Sequence, residues 1–228
     1  NNFFINIYLF FYLIKKKITL KDIINLSNKI GKTFWNYVVF LRKLAMAKPK
    51  NLQNHFLITM PHLTESVFGK GIIYLCEHNK DGAMGIMLNK PIPNIEEFIA
   101  KLELKNITPK PNIYLGGPVD VNKGFVIHEN GYETKGTLEV SKNISLTSDL
   151  KIINDIIDGN GPDKFRFALG YSGWGPGQLE DELKQGDWLV LPAEKNLIFN
   201  TPDSMMWKKA CKKLGIDLDI LGGQAGIS

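Results

Sequence analysis

From residue 51 onward the chain is cut into short apolar segments rich in Ile, Leu, Val, Phe and Tyr, most of them bounded by Gly, Pro, Asn or Asp. That punctuation leaves room for few long helices and predicts many short strands. The segments are His55–Met60, Gly71–Cys76, Ala83–Leu88, Asn112–Leu115, Gly124–His128, Thr137–Val140, Lys164–Leu169, Trp188–Leu191 and Leu197–Phe199. Helical periodicity appears at Ile95–Leu104, Asp149–Ile157, Gln178–Lys184 and Ser204–Leu214. Ser148 is placed to cap the second of these, Asp203 to cap the fourth, and Gly215 to end it. Strands and helices do not alternate strictly. The expected class is therefore one α/β or α+β domain, not a pure Rossmann topology.

Charge divides the chain unevenly. The 228 residues carry a formal net charge of +5, yet residues 1–50 hold ten Lys or Arg and a single acid, Asp22. The remainder holds 18 basic and 22 acidic groups, and Arg42 and Arg166 are the only arginines. A mildly acidic, arginine-poor body argues against direct reading of DNA, which rests on basic groups meeting phosphates and on bidentate arginine. Cys76 and Cys211 lie far apart without a CxxC spacing, so neither a disulfide framework nor a zinc signature is indicated.

Residues 1–14 are almost entirely apolar and are followed by Lys15, Lys16 and Lys17. The run is short of the roughly 20 apolar residues a membrane span needs. Its charge follows the apolar stretch, opposite to a signal peptide. Thr19 and Asp22 have capping-box spacing, and amphipathic stripes follow at Ile23, Leu26 and Ile30 and at Phe34, Val38 and Leu41. Phe, Tyr, Ile, Asn and Lys make up 29 of the first 45 residues, and each of the five has codons built only from A and T. The expected division is an extension at 1–45, either translated upstream sequence or a membrane-associating arm, and a domain at 46–228 opening on Met46. The first of these two origins is the favoured one.

Several residues invite a chemical reading. Cys76 and His78 are two apart on an expected strand and so share a face; with His128 they supply three metal-ligand types, or a thiol with a base. The plainer reading is a core cysteine and backbone-bonded histidines, because no Lys or Arg is adjacent to lower the thiol pKa and Glu77 opposes it. Gly170-Tyr-Ser-Gly-Trp174 departs from a nucleophile elbow at Trp174. Gly173-Trp-Gly-Pro-Gly177 lies where phosphate loops occur, but no Lys-Ser/Thr pair follows, Pro176 lacks a donor, and Glu180, Asp181 and Glu182 open the next helix. A demanding turn with Trp174 packed over it is the favoured reading. Cys211 shares a helical face with Trp207 and Leu214 and reads as core.

Taken together, His55-Phe-Leu-Ile-Thr-Met-Pro61, Ile73-Tyr-Leu-Cys-Glu-His-Asn79, Gly82-Ala-Met-Gly85 and Asn89-Lys-Pro91 resemble the bacterial YqgE/AlgH family. So do Gly116-Gly-Pro-Val119, Gly124-Phe-Val-Ile-His128, Leu169-Gly-Tyr-Ser-Gly-Trp-Gly175, Gly177-Gln-Leu-Glu180 and the stretch from Trp207 to Asp217. The resemblance covers about residues 50–228. It implies a cytosolic bacterial protein with a branched mixed sheet forming a pseudo-barrel, flanked by helices. Some relatives carry the label of transcriptional regulator, and the family offers no established catalytic residue or cofactor. Many relatives have Ala where this chain has Ser172, which further disfavours a serine nucleophile.

The expectation is a non-enzymatic regulatory or binding protein without metal or cofactor, acting through a protein partner or a small ligand. Its candidate ligand-binding residues are Glu77, His78, Asn79, Asn89 and His128 with Gly173, Trp174, Gly175 and Gly177. The rival is a hydrolase or metal-dependent enzyme using Cys76, His78 and His128.

Overall fold

The computed structural model describes residues 51–60, 63, 66–93 and 112–216. The expected helix at Ile95–Leu104, the extension at 1–45 and the final Asp217 of the family stretch lie outside them. The strands are β1 (His55–Thr59), β2 (Ile72–Asn79), β3 (Gly82–Met87), β4 (Ile113–Leu115), β5 (Val119–Glu129), β6 (Thr137–Ser141), β7 (Ile144–Thr147), β8 (Phe165–Trp174) and β9 (Trp188–Pro192). Among the described residues four helices accompany them: α1 (Lys151–Ile157), α2 (Gln178–Gln185), α3 (Lys195–Asn200) and α4 (Asp203–Lys213). The class is α+β, built on a curled, branched sheet that closes into a half-barrel.

All nine strands join in the order β6-β7-β5-β8-β3-β2-β1-β9, with β4 branching off β8. The branch lies in β8. Its first half pairs in parallel with β4 through Phe167, Ala168 and Leu169, and its last residues pair antiparallel with β3 through Ser172, Gly173 and Trp174. Gly170, between the two halves, has φ 70°, and a Cβ there would lie 2.5 Å from the Gly117 carbonyl oxygen. Only glycine accepts both the left-handed backbone and that approach, so the change of partner is written into one residue. Gly82 closes the β2–β3 hairpin in the same way: its φ is 136°, and a Cβ would meet the Trp174 carbonyl oxygen at 2.2 Å.

β1 and most of β2 are buried on both faces, which is why they read as continuous apolar runs instead of alternating ones. One core lies under α2, where Leu179 and Leu183 pack with Leu57, Ile73, Leu75 and Trp188. A second lies under α1, where Ile152 and Ile153 pack with Ile113, Val126, Phe167 and Leu169.

Local expectations needed four corrections. Leu197–Phe199 is helical, within α3; a three-residue apolar run has no period of its own, and here the amides of Leu197 and Ile198 both bond the Glu194 carbonyl. Ser148 does not cap α1. Its amide bonds Gly136, the cap position falls on Leu150, and Asp149 accepts the Lys151 amide at 3.0 Å. Asp203 is the first residue of α4 and Pro202 its cap, because the Asp203 carboxylate is drawn to Arg166. Finally, β7 carries no apolar run: Ser145 and Thr147 alternate with Ile144 and Leu146, and all four are buried. The end of α4 is as expected, with Gly215 at φ 74° and a Schellman pair of bonds, Gly215 to Lys212 and Ile216 to Cys211.

Candidate functional site

The β2–β3 hairpin, the start of β5, the β6–β7 ribbon and the end of β8 enclose a cleft of about 650 Å³. Local chemistry explains how the hairpin tip presents its polar groups. Asn79 accepts the Asp81 amide on its side-chain oxygen at 2.7 Å, an Asx turn that Gly82 completes. At the opposite wall β5 leaves the ladder: its register with β8 breaks between Val119 and Gly124, and Asp120 has φ 48°. That break exposes Asp120 and Lys123 while Phe125, back in register, is buried. Lys123 Nζ sits 5.3 Å from the Phe125 ring centroid, and Tyr171 meets the same ring edge-on at 5.8 Å.

Of the residues singled out in the sequence, the cleft brings together Glu77, Asn79, Gly173 and Trp174. It adds Asp81, Asp120 and Lys123, which no motif had marked, and Phe125 and Tyr171, which stood inside quoted segments without being candidates themselves. The strand register across β5 and β8 assembles them, and a local pattern does not report it. The remaining candidates are placed elsewhere and hold the fold together. Asn89 clasps the β2 start, accepting the Ile72 amide and donating to the Lys70 carbonyl, both at 2.9 Å. Gly175 donates its amide to the Gln178 side chain at 3.0 Å, and Gly177 is the left-handed cap of α2.

His78 is 7% exposed, and both of its ring nitrogens are spent. Nδ1 accepts the Leu52 amide at 2.8 Å, so the hydrogen lies on Nε2, which donates to Glu180 at 2.9 Å. Burial raises the Glu180 carboxyl, but its own backbone amide and the His78 bond outweigh that and leave it below its ordinary value. Cys76 is fully buried and gives its S–H to the Tyr74 carbonyl at 3.6 Å; burial, with the Glu77 charge, pushes the thiol far above its usual range. Burial likewise raises Cys211 to about 12. Both thiols are the opposite of activated nucleophiles.

His128 is fully buried on β5. Nδ1 donates to the Glu129 carbonyl at 2.8 Å, and Nε2 accepts from the Thr147 hydroxyl at 2.8 Å. The Thr137 hydroxyl then donates to Thr147 at 2.7 Å and accepts the Thr134 amide at 2.9 Å. Every group in this chain is satisfied when the imidazole is neutral, and burial lowers its pKa against the opposing pull of the Glu129 carbonyl. On acidification the unfolded chain takes up its proton first, near pH 6.5. Stability from this residue is therefore full above that pH and falls as pH drops toward the depressed native value. Urea midpoints of wild type and His128→Gln, compared from pH 8 to pH 5, are expected to converge as pH falls. Parallel curves would refute the assignment.

Cys76, His78 and His128 thus have separate partners. Among the described residues no group of three or more His, Cys, Asp or Glu is placed to hold a metal ion. Among them, too, no helix is long and apolar enough to cross a membrane.

Fold and cleft together define an α+β protein whose branched half-barrel, among the described residues a single sheet, carries an open polar groove lined by β2, β3, β5 and β8 with the β6–β7 ribbon. The chain belongs to the AlgH-like family (DUF179), whose profile matches residues 56–219. It is 42% identical over 181 residues to a UPF0301 protein of Marinomonas sp. (strain MWYL1), covering 77% of this chain and 96% of that one. It is 39% identical over 187 residues to the UPF0301 protein YqgE of Salmonella newport (strain SL254), covering 77% and 98%. Among solved structures it is similar to the AlgH protein of Pseudomonas aeruginosa, with a TM-score of 0.64 and 37% identity over 80% of this chain and 98% of that chain. A Corynebacterium diphtheriae protein shares the fold, with a TM-score of 0.61 and 21% identity over 74% and 90%.

Proposed function

We propose that this protein is a non-enzymatic regulatory or binding protein of the cytosol, working through a small ligand or protein partner held in the β2–β3/β5/β8 cleft. One observation carries the reading: the cleft presents polar side chains that the fold does not use, whereas Cys76, His78 and His128 are consumed in structural bonds. Any influence on transcription would pass through a partner, because residues 51–228 hold more acids than bases and Arg166 is buried.

A thermal-shift screen of the full chain against a chemically broad ligand set tests this. A cleft ligand at a hundredfold excess over Kd stabilises by about 2.7 kcal/mol, and the shift is expected to vanish in an Asn79→Ala/Tyr171→Ala variant. Turnover of an ester, amide or phosphate substrate that is lost in Cys76→Ser or His78→Ala would establish the hydrolase or metal-enzyme reading instead.

A further inference from the structure

We propose that Asn160 is a site of spontaneous deamidation, at which water converts the side-chain amide to aspartate or isoaspartate with release of ammonia. The reaction needs an asparagine side chain free to swing onto the backbone nitrogen of the next residue. It also needs that next residue to lack a Cβ, which would shield the nitrogen. The chain has two Asn-Gly pairs, Asn130-Gly131 and Asn160-Gly161. Their sequences do not rank them, but the fold does. Asn130, just after β5, is held at both ends of its amide: Nδ2 donates to the Ser141 carbonyl at 3.0 Å, and Oδ1 accepts the Ser145 hydroxyl at 2.8 Å. It ties β5 to β6 and β7 and must break both bonds before it can react.

Asn160 lies exposed in the connection from α1 to β8. Its backbone is placed by an amide bond to the Asp155 carbonyl at 2.7 Å and by the left-handed turn at Gly159, φ 74°. Its side chain, by contrast, bonds to no described residue, and the Gly161 amide donates to none. Packing imposes the glycine that follows it. A Cβ on residue 161 would lie 2.5 Å from Ile156 Cγ1 and 2.8 Å from Ile156 Cα, so the end of α1 leaves room for hydrogen alone. The chemistry then runs without a catalyst. Hydroxide takes the Gly161 amide proton, and the nitrogen attacks the Asn160 side-chain carbonyl carbon. A new N–C bond closes a succinimide ring, and the side-chain nitrogen leaves as ammonia, taking a proton from water. Water adds to one ring carbonyl or the other and opens the ring to isoaspartate or aspartate. Either product puts a carboxylate where an amide stood. Isoaspartate also inserts one carbon into the backbone before Gly161, which displaces Gly161 from Ile156 and loosens the end of α1.

The test is to age the full chain at mildly alkaline pH and follow both Asn-Gly peptides by mass spectrometry, with chromatography separating aspartate from isoaspartate. Asn160 is expected to convert at least about tenfold faster than Asn130, the factor that two side-chain hydrogen bonds impose. In denaturing urea those bonds are gone, and the two sites are expected to convert at similar rates. The isoaspartyl fraction of the native chain is expected to melt a few degrees below fresh protein, whereas Asn160→Gln aged alongside keeps its midpoint. An Asn160 that stays unchanged, or that converts no faster than Asn130 in the native chain, overturns the proposal. A rate ratio that persists in urea would show that sequence and not the fold ranks the two sites, and overturns it as well.

Discussion

Arg166→Met is expected to lower stability by about 3–5 kcal/mol, the range for removing one partner of a buried ion pair. Arg166 is 9% exposed and spends its whole guanidinium inside the protein. Nε donates to the Ile198 carbonyl, Nη1 to the Leu88 carbonyl at 3.1 Å and to Asp203 at 2.7 Å, and Nη2 to the Thr201 carbonyl at 3.3 Å. Its Cζ lies 4.8 Å from the Tyr114 ring centroid, and the Tyr114 hydroxyl donates to the same Asp203 at 3.1 Å. One side chain thus ties β8, the end of β3, α3 and α4. Methionine fills the volume but takes the guanidinium donors from three carbonyls and leaves the Asp203 carboxylate with the Tyr114 hydroxyl and no cation. Lysine keeps the charge but lacks the planar fork, so Arg166→Lys is expected to recover only part of the loss. Urea unfolding measures both. A loss under about 1 kcal/mol for the methionine variant would show that the network is not what anchors the helices.

Glu182→Ala is expected to cost about 2–4 kcal/mol and to alter tryptophan fluorescence. One carboxylate oxygen accepts the indole N–H of Trp174 and that of Trp188, each at 2.8 Å, while the other accepts from Gln178 at 2.9 Å. Both indoles are 7% exposed, and their rings meet edge-on at 6.0 Å. Truncation strands two buried donors at about 1–3 kcal/mol each, moderated where water reaches them. Glu182→Gln retains an acceptor and is expected to lose less than half as much. Equal losses for Ala and Gln would mean that packing, not hydrogen bonding, sets the effect. The pair matters for the cleft as well, since Trp174 lines it and α2 holds Trp174 in place.

These two clusters show where local reading stops. The short apolar runs marked most strands correctly, because a buried strand needs only a few consecutive apolar residues between turn formers. Leu197–Phe199 failed because so short a run suits either a strand or a helical turn, and β7 was missed because buried Ser145 and Thr147 looked like loop. The acids of α2 were noticed as unfavourable to phosphate and favourable to a helix dipole. Their actual work, holding His78 and two tryptophans, depends on partners that the sequence does not juxtapose.

In the cleft, Glu77, Asn79, Gly173 and Trp174 were legible as polar and glycine signatures. Asp120 and Lys123 were not, because the break in β5 that exposes them appears only when β5 is laid against β8. His78, Asn89 and His128 looked equally available in sequence, yet tertiary bonds consume them.

By itself, the sequence determined the strand-rich α+β class, the turns that only glycine can make, and membership of the AlgH-like family, since all of these are properties of short segments and their order. Only the tertiary structure decided which polar groups are spent and which are free. His78 and Glu180 are 102 residues apart and Arg166 and Leu88 are 78 apart, yet both pairs are hydrogen-bonded. A polar side chain is available to a ligand only when folding has not already supplied its partner, and that is fixed by long-range register and packing.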